Sequence, residues 1–483
     1  MKRNCFTLLA ACCAALVLPR DVHAAQTETP PLNLISIVTD DQAHWSLGCY
    51  GNKESRTPNM DRVAKEGAIF LNAFTATPVC SPSRVTFLTG RYGTQMGITD
   101  YLAPIESNAG IGLSPKAVTW PEVLQKHGYI TGLVGKWHLG TQPQYHPKNH
   151  GFHHFYGFHG GGTTPMNPTF DHDGEPLKMQ GSLPDLLVNN AIGFVTTNRS
   201  NPFALLLHFR APHLPYGPVP PGDSAPFKKL DPTVPEPRGG NIEQIKNWTR
   251  DYYASIHSVD RNLGRLFKAL EEFGLMDKTI ILFTSDHGYN IGHHGIHTKG
   301  NGIWIAGGVN GPKRPNMWDT SVRVPLMVRW PGVVKPGTKV NEYVSNIDTF
   351  ASVLGMLNVP KPRDWKHEGA DFSTVLRGQR PTWRDTVFAQ YDLHNNGLAY
   401  MRMVRTPKHK LVRHYHANMM DELYDLEKDP GEERNLMRPN ASLDAELQRV
   451  VDDLDLRLLE WMESIDDPRL REVKQRQRER RGL

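Results

Sequence analysis

Two adjacent carboxylates repel each other, so the pair Asp40-Asp41 carries an electrostatic cost that water or a cation must relieve. The pair reads either as solvated turn acids or as hard oxygen ligands for a divalent ion. Asp286-His287, far along the chain, is either the other half of such a site or a helix cap beside a surface histidine. Ligation dominated by oxygen favours Ca²⁺ over Zn²⁺. Lys136 and His138 stand two apart in Gly135-Lys136-Trp137-His138, a spacing that lets both face one pocket from a strand end. Cys80 precedes a helix and, taken alone, reads as a buried structural cysteine. His213, taken alone, is a loop histidine in a proline-rich turn.

Those residues sit where the chain changes character. Leu32–Thr39 (LNLISIVT) is a β-branched apolar run that stops at Asp40, the pattern of a buried parallel strand. Tyr129–Val134, Pro202–Phe209 and Thr279–Thr284 are further strands, leading toward Lys136, His213 and Asp286. Helices are predicted from Pro58 to Gly67, from Ser81 to Leu88, from Thr119 to Gly128, from Asp251 to Phe273 and from Ser345 to Leu357. Alternating strands and helices predict an α/β fold, a mostly parallel central sheet between helices, with ligands bound beyond the carboxyl ends of its strands. Pro212–Pro237 and Gly300–Trp318 read as loops. The Val359-Pro360-Lys361-Pro362 segment marks a boundary between a large domain, residues 25–358, and a smaller α+β subdomain, residues 359–483. That subdomain ends in a helix, Ser442–Glu463, and a basic solvated tail, Lys474–Arg481.

Cys80-Ser81-Pro82-Ser83-Arg84, followed by Leu88-Thr89-Gly90-Arg91, resembles the C-x-P-x-R…TG signature of the S1-type, formylglycine-dependent sulfatases of the alkaline phosphatase superfamily. Further runs resemble the same family in order along the chain: GKWHLG at 135–140, Pro212-His213-Leu214-Pro215, Ser285-Asp286-His287-Gly288 with His294-Gly295 and Lys299, Arg323-Val324-Pro325-Leu326, and ELYDL…DPGE…NL from Glu422 to Leu436. The resemblance implies an alkaline-phosphatase-like large domain. It implies that Cys80 is oxidised to formylglycine by a formylglycine-generating or anaerobic maturating enzyme, and that Arg84 stabilises the aldehyde hydrate. Asp40, Asp41, position 80, Asp286 and His287 would hold Ca²⁺, and Lys136 and Lys299 would bind the sulfate. His138 would bond the hydrate, and His213 would protonate the leaving alcohol. Position 287 is His where many members have Asn. The implied activity is hydrolysis of sulfate esters on a sulfated polysaccharide or its oligosaccharides. Two alternatives are a phosphomonoesterase or phosphodiesterase of the same superfamily and a non-catalytic binder of sulfated glycans. His153, His154, His159, His172 and His394 have no role by resemblance, and their setting favours a surface loop.

Composition suits a soluble globular protein with a sizeable core. In 483 residues, 39% hydrophobic and 22% charged composition excludes a disordered chain, and no later segment is long and apolar enough to span a membrane. Lys2 and Arg3, the apolar stretch Phe6–Leu18 and the small residue Ala24 form a signal peptide over residues 1–24, so the protein is expected to be exported, periplasmic or secreted. A lipoprotein anchor at Cys12 is the second reading. Cleavage removes Lys2, Arg3, Arg20 and Asp21 and lowers the formal charge from +5 to +3, too mild to argue for nucleic acid. It also leaves only Cys49 and Cys80, and the modification expected at Cys80 excludes a disulfide between them.

Overall fold

A computed structural model describes Met1 and residues 31–236, 241–302, 315–379, 381–395, 397–416, 419–438 and 443–480, the side chains of 476–480 excepted. The expected targeting segment and most of the Gly300–Trp318 stretch lie outside these residues. From Leu32 onward the described chain forms one compact unit, and none of its helices is long and apolar enough to cross a membrane.

Ten strands build the main sheet: β1 (Asn33–Asp40), β2 (Ala68–Phe74), β3 (Ile130–Lys136), β4 (His154–Phe158), β5 (Thr169–His172), β6 (Glu175–Lys178), β7 (Phe203–Pro212), β8 (Thr279–Ser285) and, after the two-residue strands β9 (Asn290–Ile291) and β10 (His297–Thr298), β11 (Leu326–Arg329) and β12 (Thr338–Ser345). Their order is β12-β2-β11-β8-β1-β7-β3-β4-β5-β6. At its centre β8, β1, β7, β3 and β4 run parallel, with Val38 opposite Thr284 on one side and His208 on the other. β11 enters antiparallel between β2 and β8, and β5 and β6 fold back antiparallel on the far edge. β1 and β7 are buried at every position, because helices cover both faces of a sheet whose central strands are apolar runs rather than alternating ones.

The helix Cys80–Thr89 is buried along its whole length and ends at Gly90 in the left-handed conformation. Thr119 caps the helix Trp120–Lys126 by accepting from the Glu122 amide. The long helix runs from Ile242 to Glu272, well upstream of the predicted start at Asp251. Asn241 caps it, and its first turns bury only Ile245 and Thr249, too thin an apolar stripe to announce a helix in the sequence.

Four antiparallel strands, β13 (Val387–Leu393), β14 (Ala399–Arg405), β15 (His409–His414) and β16 (Glu422–Asp425), form the small sheet. The helix Ala445–Ser464 packs on it through Leu454, Leu458, Trp461 and Met462. Two stretches carry more structure than expected. The Pro212–Pro237 stretch contains the short turns Pro221–Ser224 and Ala225–Phe227, where buried Phe227 pins the chain to the core. The basic run read as a solvated tail from Lys474 continues a helix, Leu470–Arg480, which Val473 anchors by burial. Of the histidines assigned to a surface loop, His154 and His172 lie instead in β4 and β5, while His153, His159 and His394 fall outside strands and helices, and Nδ1 of His153 faces the Thr131 hydroxyl at 2.9 Å.

Candidate active site

β8, β1, β7 and β3 are neighbours and parallel, so their carboxyl ends lie side by side. Asp40 ends β1 and Lys136 ends β3, while Asp286 and His213 follow β8 and β7 directly. The helix that begins at Cys80 brings its first turn to the same place. All ten residues expected to act together therefore meet: Asp40, Asp41, Cys80, Arg84, Lys136, His138, His213, Asp286, His287 and Lys299.

Charge organises the cluster. Three buried carboxylates face three buried cations. Lys136 Nζ donates to Asp40 Oδ2, Lys299 Nζ donates to Asp41 Oδ1 at 2.6 Å, and Arg84 Nη2 donates to Asp286 Oδ2 at 3.0 Å. Burial alone would raise Asp40, but Lys136, His213, Arg84 and Lys299 hold it well below the usual carboxylate range. Burial pushes Asp41 up to about 7 despite Lys299 and His287. Oδ2 of Asp41 is buried without a hydrogen-bond partner. His287 donates Nδ1–H to the Gly288 carbonyl at 2.9 Å, which turns Nε2 toward Asp41 Oδ1 and Asp286 Oδ1, each 3.4 Å away. Donor atoms of Asp40, Cys80, Asp286 and His287 lie within 4.8 Å of one another. A buried orphan oxygen, facing carboxylates and an oriented imidazole form a donor set that fits a divalent cation.

Cys80 is no ordinary buried cysteine. Its Sγ lies 3.3 Å from Lys299 Nζ, 3.5 Å from Asp40 Oδ1 and 3.5 Å from His287 Nε2. Burial and Asp40 would raise its pKa, yet the two lysines bring it below the ordinary thiol value. Neither Cys80 nor Cys49 is in a disulfide, and Cys49 packs its sulfur 3.5 Å from that of Met327. One turn after Cys80, Ser83 Oγ bonds the Asp286 carbonyl and receives Asn346 Nδ2 at 2.9 Å, which fastens the helix to the strand ends. His138, in the left-handed region at φ 59°, donates Nε2–H to Leu102 O at 3.1 Å, and its buried Nδ1 has no partner. His213 is the open member of the group: its side chain is 21% exposed, with Nε2 3.7 Å from Asp41 Oδ2.

The model of the family described as Sulfatase matches residues 32–359. The chain belongs to the sulfatase family. A second model, described as the C-terminal region of N-sulphoglucosamine sulphohydrolase, matches residues 312–463 of this sulfatase. An N-acetylglucosamine-6-O-sulfatase of Bacteroides thetaiotaomicron is 28% identical over 90% of the chain and 88% of its own length. The steryl-sulfatase of Rattus norvegicus is 30% identical over 77% of the chain and 75% of its own length. A solved structure in complex with its substrate, D-glucosamine-2-N,6-O-disulfate, superposes with a TM-score of 0.78 at 25% identity, covering 91% of the chain and 99% of that structure. The expected fold and enzyme class are thereby borne out: an alkaline-phosphatase-like sulfatase, a sulfuric ester hydrolase.

Several residues around the site escape sequence reading. His208 and Arg210 lie inside β7, buried among apolar neighbours, and His208 Nδ1 is 3.4 Å from Arg84 Nη1. A polar residue at alternate positions of an otherwise apolar strand was the available signal. A glycine strap, Gly160-Gly161-Gly162, passes beside His138: a Cβ on Gly161 would come within 2.8 Å of its ring. Asn346 belongs to a distant segment, and nothing in its local sequence marks it.

Proposed function

We propose that this sulfatase hydrolyses sulfate esters of a sulfated polysaccharide or its oligosaccharides, with position 80 matured to formylglycine and with Ca²⁺ in the acidic centre. The observation that carries the reading is the setting of Cys80. A structural cysteine packs against apolar atoms, whereas this one faces an ammonium, a carboxylate and an imidazole. When formed, the hydrated aldehyde supplies an oxygen nucleophile and a second hydroxyl that allows sulfate to leave without a new attack. His138 suits such a group, because its orphan Nδ1 can accept a hydroxyl proton. Asp40, Asp41, Asp286 and His287 would hold the cation, which would supply positive charge for the sulfuryl oxygens.

The remaining steps belong to the chain's own side chains. Lys136 and Lys299 bind the anionic group and stabilise charge that grows on its oxygens. Arg84 holds Asp286 in place through its Nη2 hydrogen bond to Oδ2. His213, at the open side of the cluster, hands a proton to the departing alcohol, which must project toward solvent. A similar protein named for action on N-acetylglucosamine 6-O-sulfate, and a similar structure holding a disulfated glucosamine as its substrate, support a carbohydrate substrate. Lys2, Arg3, the apolar Phe6–Leu18 stretch and Ala24 support export, periplasmic or secreted.

Tryptic mass spectrometry of active enzyme should show the Cys80 peptide as the aldehyde. Release of sulfate from a panel of defined sulfated oligosaccharides should depend on Ca²⁺ and be abolished in Asp41→Asn. Full turnover with an alkylatable Cys80 thiol, or activity indifferent to calcium chelation, would sink the mechanism.

A further inference from the structure

The reaction outlined above makes no use of Arg210, a guanidinium 4% exposed near the end of β7. Its Nη1 donates to the Pro215 carbonyl at 3.0 Å and its Nη2 to the Leu214 carbonyl, while Nε is buried without a partner. The two carbonyls it grips belong to the residues that follow His213. The His213 amide in turn donates to the Arg210 carbonyl at 2.9 Å, closing a tight loop. His213 Nδ1 lies 2.7 Å from the same Leu214 oxygen. A carbonyl only accepts, so Nδ1 must carry the proton of the neutral ring, and Nε2 is left facing Asp41 and the mouth of the site. One carbonyl oxygen therefore fixes the imidazole, and one guanidinium fixes that carbonyl. A planar fork meets both carbonyls with two nitrogens in fixed geometry, where an ammonium would have to reach both from a single rotating nitrogen.

We propose that Arg210 is a positioning residue for His213: through the Leu214 carbonyl it holds the imidazole with Nδ1 protonated and Nε2 turned toward the leaving group. The proposal rests on the reading of His213 as the proton donor, which it can be only as the imidazolium: Nδ1–H stays on the Leu214 carbonyl while the second proton, on Nε2, passes to the alcohol oxygen as its bond to sulfur breaks and leaves the neutral Nδ1–H ring. The chemistry it protects is sensitive to small displacements, since a shift of about 1 Å in a reacting group costs about 10² in rate.

The test compares kcat on a sulfated sugar, whose alkoxide is a poor leaving group, with kcat on an activated aryl sulfate. The variants are Arg210→Met, Arg210→Lys, His213→Ala and the double variant R210M/H213A, with circular dichroism confirming that each is folded. Arg210→Met is expected to lose about 10² on the sugar and far less on the aryl sulfate. Arg210→Lys should recover part of that loss, and the double variant should be no worse than His213→Ala. Equal losses on both substrates in Arg210→Met, or losses that multiply in the double variant, overturn the proposal. If His213→Ala itself shows no dependence on leaving group, the proton-donor reading fails, and the double variant still decides whether Arg210 acts through His213. A readout independent of turnover is the ¹⁵N spectrum of the His213 ring, read in Arg210→Lys should Arg210→Met not fold. Wild type should show the Nδ1–H form and the variant a tautomer mixture, whereas an unchanged spectrum counts against the proposal.

Discussion

Lys299 touches both halves of the site, with Nζ 2.6 Å from Asp41 Oδ1 and 3.3 Å from Cys80 Sγ. Burial works against its charge, but Asp41, Cys80 and Asp40 raise its pKa, so the ammonium persists. Lys299→Ala is expected to lower kcat by about 10²–10³, the loss typical of removing one donor to a developing oxyanion. The loss should be similar on a sugar sulfate and an aryl sulfate, because charge grows on the sulfuryl oxygens in both. A loss confined to the sugar would assign Lys299 to proton transfer instead. The fold should survive. With its lysine gone, Asp41, already pushed up to about 7, can take a proton and need not remain a bare buried charge.

Gly135 shows how closely the strands that deliver these residues approach one another. Its φ is 118°, and a Cβ there would lie 1.8 Å from the His208 carbonyl of β7. Gly135→Ala must therefore push β3 away from β7 just before Lys136, and it should abolish activity and lower the melting temperature; near-normal turnover would contradict this account. The glycine was legible in the sequence as part of GKWHLG, though its reason was not, because the clash is with a strand some 70 residues away in sequence. The same limit applies elsewhere. The apolar runs ending at Asp40, Lys136 and Asp286 could be read because buried parallel strands leave a continuous hydrophobic signature. The motif residues could be read by resemblance. Asn346 and the strap at Gly160–Gly162 could not, since their roles arise from contacts made only after folding. The start of the long helix at Ile242 and the helix through Lys474 were missed because polar, solvent-facing turns carry little periodicity.

Two histidines buried in the neutral form make acid pH work against the fold. His150 is fully buried with neither ring nitrogen hydrogen-bonded, and burial pushes it down to about 4; His297, buried beside Tyr216 and Trp248, is also pushed down to about 4. A histidine whose folded pKa lies below its unfolded value of about 6.5 contributes stability that is complete above 6.5 and is lost as the unfolded chain takes up protons. These two residues should therefore pull denaturant midpoints down between about pH 6.5 and pH 4, against the opposite pull of Asp41, Asp260 and Glu432, whose buried carboxyls are pushed up to about 7. His150→Gln or His150→Phe, if folded, should remove part of the histidines' pull, and an unchanged pH dependence would remove His150 from the account. The adjacency of β8, β1, β7 and β3 has a consequence of another kind. Catalytic sites on loops can come apart while the core stays closed, but this one is held at the ends of four neighbouring central strands. In native-state hydrogen exchange, the amides of Val38, Leu206 and Leu282 should be among the last to exchange, and only through global opening. Turnover and backbone structure should then vanish at one denaturant concentration, making the enzyme's own activity a faithful reporter of its folding.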